Sequence, residues 1–294
     1  MLKRKKRRRV SRKGQGGAGR GIGIETKSAC LFTYIFAFLC LFFLTACDRS
    51  GEDAYKKGEE LWEVERYGEA LVHYEKVVSG NPGGHLAKDA LYQIGNIYYL
   101  NLRDYQKAVE AYRRLVKTSP GSHFAPDAQR KIAEIYREKF GDLKGAVSEY
   151  QRFVKVFPKE ADRARYRMAE CYILLREFDK AREQYENILK ETPDIDYKDD
   201  VLYQMANSYY LEGKTGEAKK GFEELVDKFP ETRFTADARF GIALAFEEEG
   251  NLQEALNRLT QLKGIYHDQK VLDLRIREIQ DRMEEKKKPA RRNK

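Results

Sequence analysis

The chain has 294 residues, and its 56 Lys/Arg against 47 Asp/Glu give a formal net charge of +9. Residues 1–46 hold 11 of the basic residues and a single acidic one, so residues 47–294 are close to neutral and the basic composition is no argument for nucleic-acid binding. Cys171 is the one cysteine beyond residue 47, which excludes an intramolecular disulfide from that part of the chain.

The first element along the chain is an export segment. A dense basic block at residues 3–9 precedes 18 uncharged residues, 29–46, which end at the junction Leu44-Thr45-Ala46-Cys47. This junction resembles the lipobox of bacterial lipoproteins, in which the cysteine thiol receives a diacylglycerol and the signal is cut before it. The resemblance implies a signal peptide over residues 1–46 (basic 1–28, apolar 29–46), a lipid anchor on Cys47 and a lipidated linker over 47–51.

Two alternatives stay open for this segment. The apolar run reaches the roughly 18 residues of a spanning helix, so it also fits an uncleaved membrane anchor. Cys47 also fits an incidental cysteine, because Cys30 and Cys40 lie in the same apolar segment. In either case the basic residues stay cytoplasmic, and we expect the chain after Cys47 to face the periplasm while attached to a membrane.

The next elements are six repeated helix pairs. An alanine recurs every 35–38 residues, and bulky residues follow each one at the fourth and seventh positions, which places all three on one helical face. A small residue stands twelve or thirteen positions before each alanine, and turn signals lie between the two. A proline follows five of the six units and ends the second helix. The alanines are Ala70, Ala108, Ala146, Ala181, Ala218 and Ala255, and the small residues are Gly58, Gly95, Ala133, Ala169, Ala206 and Ala243.

This pattern resembles the tetratricopeptide repeat family. The resemblance implies an all-α, right-handed superhelical solenoid of six helix-turn-helix repeats over residues 52–266, with units at about 52–82, 85–120, 123–158, 160–193, 196–230 and 233–266. Units two and three carry one extra turn residue. Apolar residues at steps of four, three and four then predict a capping helix over 268–285, with docking of another protein as the alternative role, and a basic disordered tail follows at 286–294.

A search for catalytic chemistry finds no pattern that supports an enzyme. The four histidines are far apart and none has a second ligand type at metal spacing, and no phosphate loop or nucleophile motif is present. We therefore predict no enzymatic activity, no cofactor, no metal and no small-molecule substrate. Cys171 lies in an apolar helical pattern and is expected to be part of the core.

The family resemblance implies a concave groove lined by the first helix of each unit. Three positions per unit face the groove in this family, and tyrosine, tryptophan, amide and arginine side chains at such positions suit protein partners. The alternative for each tyrosine is packing between adjacent units. A lysine is missing where the carboxylate-clamp form of the family needs one, so binding of chaperone tails is not supported. The predicted groove residues are Tyr55, Trp62, Tyr92, Asn96, Tyr99, Arg130, Arg137, Tyr166, Tyr203, Asn207 and Tyr210.

The combination of lipobox and repeats resembles the BamD-type outer-membrane assembly lipoproteins. The resemblance implies a non-catalytic scaffold whose partners are envelope proteins, among them a barrel-insertion machine. The chain departs from that pattern in having six repeats rather than five and no long insertion. Asp48 resembles an inner-membrane retention signal, so the inner membrane is the alternative to the outer one. Two further functions stay open: a Tol–Pal or cell-division repeat protein, and a module that positions a polysaccharide-export or cell-wall enzyme.

Overall fold

The structure is a computed structural model that describes residues 50–287. The signal peptide, Cys47, Asp48 and the tail from residue 288 onward lie outside the described residues. Within 50–287 the chain forms helices and turns without a strand, which confirms the all-α solenoid. The helices are α1 (50–63), α2 (Tyr67–Gly80), α3 (His85–Asn96), α4 (Tyr105–Thr118), α5 (Ala125–Glu138), α6 (Leu143–Val156), α7 (Ala161–Leu174), α8 (Phe178–Glu191), α9 (Lys198–Glu212), α10 (Thr215–Lys228), α11 (Thr235–Glu248), α12 (Leu252–Gln261) and α13 (Gln269–Lys287).

The twelve helices α1 to α12 form six hairpins, and α13 follows the last one. From α2 onward, each helix makes most of its contacts with the helices that precede and follow it in the sequence. The odd-numbered helices are the first helices of the units and the even-numbered ones are the second. This sequential packing is the arrangement of a repeat solenoid, in which each unit buries its apolar face against the next.

In the first two units, the small residue of the first helix is a glycine that packs against a tyrosine ring of the second helix. The ring of Tyr74 lies so close to Gly58 that an added Cβ would stand 2.8 Å from it, and Tyr112 lies against Gly95 in the same way. Both tyrosines are almost completely buried. The small residue of the first helix therefore makes room for the large residue of the second, and this close approach forms the core of each unit.

Each turn between the paired helices contains one residue with a left-handed backbone, always five positions before the repeated alanine. Glycine occupies that position in units three, five and six, where φ is +65° at Gly141, +84° at Gly213 and +81° at Gly250. The other three units place Glu65, Arg103 and Arg176 there, with φ between 54° and 60°. Side chains with a Cβ are strained in this conformation, so three of the six turns store strain of about 1 kcal/mol each.

The extra residue of units two and three is accommodated in two different ways. In unit two it widens the end of α3 into a π-helical turn at Ile97–Asn101, where the Leu102 N–H donates to the Ile97 carbonyl at 2.9 Å. In unit three it enlarges the turn, because the closing bond from Asp142 N–H to the Tyr136 carbonyl spans six residues. The corresponding bond in unit four, from Glu177 to Tyr172, spans five.

The helix α13 caps the last unit. Its residues Leu272, Ile276 and Ile279 are buried in one cluster with the core of unit six. The carboxylate of Glu247 on α11 is also buried and pairs with two arginines of α13, Arg275 at 2.9 Å and Arg282. The amphipathic spacing of α13 and this ion-pair cluster together hold the cap on the solenoid.

Candidate partner-binding groove

Three tyrosines of the first helices contact the following unit. Tyr92 of α3 stacks on Phe124, with ring centroids 4.4 Å apart, and its hydroxyl donates to Asp127 at 2.5 Å. Tyr166 of α7 lies edge-on to Tyr197 and donates to Asp200 at 2.7 Å. In unit five, Tyr203 stacks on Phe234 at 4.6 Å. All three are half-buried, so one side of each ring packs between units.

The remaining aromatic residues of the predicted groove differ in exposure. Tyr55 packs edge-on against Tyr74 at 5.4 Å, and burial raises its pKa to about 12. Tyr99 is half-buried beneath the ammonium of Lys131, which lies 5.4 Å from its ring centroid. Tyr210 is half-buried too, and burial raises its pKa. Trp62 is 46% exposed.

The two asparagines of the predicted groove are in different hydrogen-bonding states. Asn96 accepts a hydrogen bond at 2.8 Å from the hydroxyl of Tyr112, so its carbonyl is engaged inside its own unit. Asn207 is half-buried, and its side-chain amide has no hydrogen-bond partner among residues 50–287. Only Asn207 therefore keeps its full amide available for a peptide backbone.

The two arginines of the predicted groove are held by carboxylates. Arg130 pairs with Asp127 and with Glu134, the latter at 2.9 Å. Arg137 reaches from α5 to Glu170 on α7 at 3.1 Å, so it joins units three and four. These pairs fix the guanidinium groups along one side of the solenoid, where they lie across two successive first helices.

A groove of about 1040 Å³ runs from unit three to the start of unit six, and we name it the central groove. It brings together Arg130 and Tyr166 of the predicted residues, along with Glu134 and Glu170 from the same face; the other predicted residues lie elsewhere on the solenoid. First helices contribute most of its walls, the loops between units contribute further residues, and Tyr150 and Phe153 come from the second helix α6. Its lining includes His123, Pro126, Asp127, Tyr150, Phe153, Glu160, Asp162, Arg163, Arg167, Ile195, Tyr197, Asp200, Gln204, Arg233 and Phe234.

The loop residues of the central groove carry a sequence signal that the repeat pattern alone does not use. An aromatic residue follows the unit-ending proline by four positions at Phe124, Tyr197 and Phe234. Each of these rings contacts a tyrosine of the preceding first helix. Tyr197 and Phe234 also line the groove, so this second periodicity marks the unit junctions that form its walls.

The described residues offer no arrangement for metal chemistry or for crossing a membrane. Between residues 50 and 287, His, Cys, Asp and Glu side chains form no group of three or more that fits a metal ion. None of the helices in that range combines the length and apolarity that a membrane span needs. Cys171 is buried and burial raises its pKa to about 11, so its thiol stays protonated near neutral pH.

A stack of helical hairpins with an aromatic, arginine-containing groove defines a class of protein, the repeat scaffolds that bind other polypeptides. Two models of the tetratricopeptide repeat match this chain, one at residues 138–199 and the other at residues 89–122, 200–232 and 237–266. Together they span more than half of the chain, which belongs to the tetratricopeptide repeat family. No curated protein matches the sequence.

Solved structures share the fold at low sequence identity. The structure of Naa15/Naa10 bound to HypK-THB superposes with a TM-score of 0.52 and 16% identity, covering 81% of this chain and 35% of that one. A tetratricopeptide repeat protein from Parabacteroides merdae gives 0.49 and 16%, over 75% of this chain and 81% of that one. PilW, a widely conserved type IV pilus biogenesis factor, gives 0.45 and 17%, over 73% and 93%. At these identities the likeness concerns the fold alone.

Proposed function

We propose that this protein is a non-catalytic, lipid-anchored scaffold that faces the periplasm and holds a segment of an envelope protein in its central groove. The observation that carries the proposal is the groove itself, a volume of about 1040 Å³ that runs from unit three to the start of unit six and has aromatic and arginine side chains in its walls. Aromatic residues and arginine are enriched where proteins bind one another. The repeat family supports the same role, because its members act as binding scaffolds.

The sequence supports the anchor and the side of the membrane. The lipobox places the lipid on Cys47, and the described part of the first helix already includes residue 50. Three residues of extended chain reach at most about 10 Å, so a lipid on Cys47 holds unit one close to the membrane surface. The central groove, which begins in unit three, then lies farther along the stack and away from the membrane surface.

Within this role we favour outer-membrane protein assembly of the BamD type. The support is the combination of lipobox, immediate repeats and repeat spacing described above. Attachment to the outer membrane belongs to the same proposal. Asp48 makes inner-membrane attachment the alternative location, and the localisation experiment below separates the two.

Site-specific photo-crosslinking in native membranes tests the groove. A photoreactive residue replaces Arg130 or Arg233, both in the groove lining, and the control replaces Val72, which is 68% exposed on α2 and outside that lining. We expect adducts with one envelope protein from the two groove positions and none from the control. A barrel-insertion component supports the assembly role, whereas a Tol–Pal protein or a cell-wall enzyme favours the alternatives. Groove positions that give no more adduct than Val72 contradict the proposal.

A Cys47→Ser variant tests the anchor. We expect the variant to incorporate no labelled palmitate and to retain its uncleaved signal peptide. In a separate experiment on the unaltered chain, we expect density-gradient fractionation to recover the protein with the outer membrane. A Cys40→Ser variant is the matched control, because it removes a cysteine of the same apolar segment. If Cys47→Ser changes neither labelling nor processing, the segment is an uncleaved helix and the lipid anchor is wrong.

A further inference from the structure

Exposed apolar side chains are concentrated on one edge of the solenoid. Twelve large apolar side chains are exposed among residues 50–287, and seven of them lie at the end of a first helix or in the turn that follows it. All seven stand six to eight positions before the repeated alanine, and units one to five each present at least one. Unit six has Glu247, Glu248 and Glu249 at those positions instead. The seven residues, which we name the apolar edge, are Trp62, Val64, Leu100, Leu102, Phe140, Leu174 and Leu211.

The turns of the apolar edge lie side by side. Each turn reverses the chain between two antiparallel helices, so the first helices all run in one direction and end at the same edge of the stack. Contacts at consecutive turns agree with this arrangement. The ammonium of Lys139 lies 5.6 Å from the ring centroid of Tyr105, and Lys214 pairs with Asp179 at 3.8 Å. None of the seven residues lines the central groove, so the apolar edge is a separate surface.

The same turns contain charged residues in a strained backbone. Glu65, Arg103 and Arg176 occupy the left-handed position of units one, two and four, which glycine fills in the other units. All three side chains are exposed, and none of them forms an ion pair with another residue in the range 50–287. Strained residues persist where another interaction offsets their cost. A single copy of the chain provides no ion pair that does so.

The proposed lipid anchor keeps the apolar edge away from the membrane. Ser50 begins α1 and Trp62 lies near its end, about 18 Å farther along the helix axis. A lipid on Cys47 lies within about 10 Å of Ser50. The membrane is then next to the opposite edge of unit one, so the lipid bilayer does not cover the exposed apolar side chains.

A second copy of the chain is complementary to the apolar edge in charge. Two copies related by a two-fold axis place their edges in opposite directions. When unit one faces unit four of the other copy, unit two faces unit three. Glu65 then lies opposite Arg176, and Arg103 lies opposite Asp142, an exposed carboxylate that also has no ion pair among the described residues. The unpaired acids of each copy therefore meet unpaired bases of the other.

The apolar area of this contact is that of a stable dimer. Units one to four contribute six of the seven residues, and the exposed fractions of these six side chains range from 40% to 65%. Together they present roughly 500 Å² of apolar surface. A standard interface buries about 800 Å² per copy, and about 65% of a homodimer interface is apolar, which is again roughly 500 Å².

We propose that two copies of this protein form a two-fold dimer through the apolar edge, with unit one of each copy against unit four of the other. The leucines, Trp62 and Phe140 form the apolar contact, and Glu65 of one copy binds Arg176 of the other. The central groove stays open in both copies, because the dimer uses a different surface.

Charge exchange tests the pairing of unit one with unit four. Glu65→Arg and Arg176→Glu should each weaken the dimer about 10-fold or more, because like charges then face each other, and the combined variant Glu65→Arg/Arg176→Glu should regain most of the loss. Sedimentation equilibrium of the full chain in density-matched detergent micelles measures the dissociation constant. Glu231→Arg/Arg239→Glu reverses the same charges at exposed positions away from the edge and should leave that constant unchanged.

Removal of apolar side chains tests the contact itself. Leu100→Ser/Leu174→Ser should raise the dissociation constant at least 100-fold, because each dimer then loses four buried leucines. The matched control is Ile265→Ser/Leu274→Ser, which changes side chains of similar exposure, 61% and 53%, outside the edge. It should leave the dissociation constant unchanged. Far-ultraviolet circular dichroism of both variants checks that the helices remain folded.

A photoreactive residue in place of Leu100 identifies what covers the edge in native membranes that contain two differently tagged copies. Adducts with both tags support the dimer. Adducts with phospholipid or with another envelope protein, and none with a second copy, overturn it, as does a dimer that is indifferent to the leucine variant. A dimer that responds to the leucine variant but not to charge exchange overturns the pairing of unit one with unit four. None of these results affects the scaffold proposal, which depends on the central groove.

Discussion

Tyr92→Phe measures how strongly one hydroxyl ties unit two to unit three. The change keeps the ring stacked on Phe124 and removes the hydrogen bond to Asp127. A hydrogen bond to a charged group is worth about 1.5–3 kcal/mol when buried, and both partners here are only partly buried. We therefore expect the free energy of unfolding to fall by about 1–2 kcal/mol.

Urea unfolding of the full chain in detergent micelles, followed by far-ultraviolet circular dichroism, measures this change. Tyr203→Phe is the matched control, because Tyr203 stacks on Phe234 in the same way but its hydroxyl has no hydrogen-bond partner among the described residues. It should cost less than about 0.5 kcal/mol. Neither Tyr92 nor Tyr203 lines the central groove, so photo-crosslinking from position 130 should persist in the Tyr92→Phe variant. Equal losses for the two variants would refute the reasoning that the Asp127 contact stabilises the junction.

Three further predictions concern turns, cap and alkaline pH. Positions 176 and 213 both have a left-handed backbone, which glycine adopts without strain. Gly213→Ala should therefore lower the free energy of unfolding by about 1 kcal/mol, and Arg176→Gly should raise it by up to about 1 kcal/mol. Urea midpoints of the two variants that move in the same direction contradict this. Glu247→Ala should cost about 1–2 kcal/mol, because it removes the carboxylate that Arg275 and Arg282 share and leaves Arg275 with Glu278 alone; hydrogen exchange should rise first in α13, and unchanged protection there would disprove it. Burial raises the pKa of Tyr55 and Tyr92 to about 12 from 10, so their contribution to stability is complete below pH 10 and is lost as the pH rises to 12; tyrosinate absorbance that appears well before unfolding would contradict the assignment.

The hairpins follow from the sequence because their contacts are local. The spacing of Ala108, Tyr112 and Leu115 defines one face of α4, and the small residue Gly95 receives the Tyr112 ring. These relations lie within one unit and are set by helical periodicity. The extra turn residue of units two and three is also visible in the sequence, although its two structural solutions depend on the local backbone.

The position of the central groove does not follow from the repeat pattern. Tyr92 and Tyr166 occupy equivalent positions in their units, yet only Tyr166 lines the groove. Unit three has Arg130 at the position where its two neighbours have tyrosine, and Arg130 lines the groove as well. Contacts between units therefore decide which part of the concave surface is open, and helical periodicity contains no information about them.

The sequential packing of the helices affects how local unfolding spreads through the protein. From α2 onward, most contacts of a helix are with the helices adjacent in the chain, so the loss of one hairpin removes support mainly from the two beside it. Because a hairpin at the end of the stack has a neighbour on one side only, we expect local unfolding to begin there. Residues 125–212 lie midway between residues 50 and 287, so we expect fraying from either end to reach the proposed binding surface last.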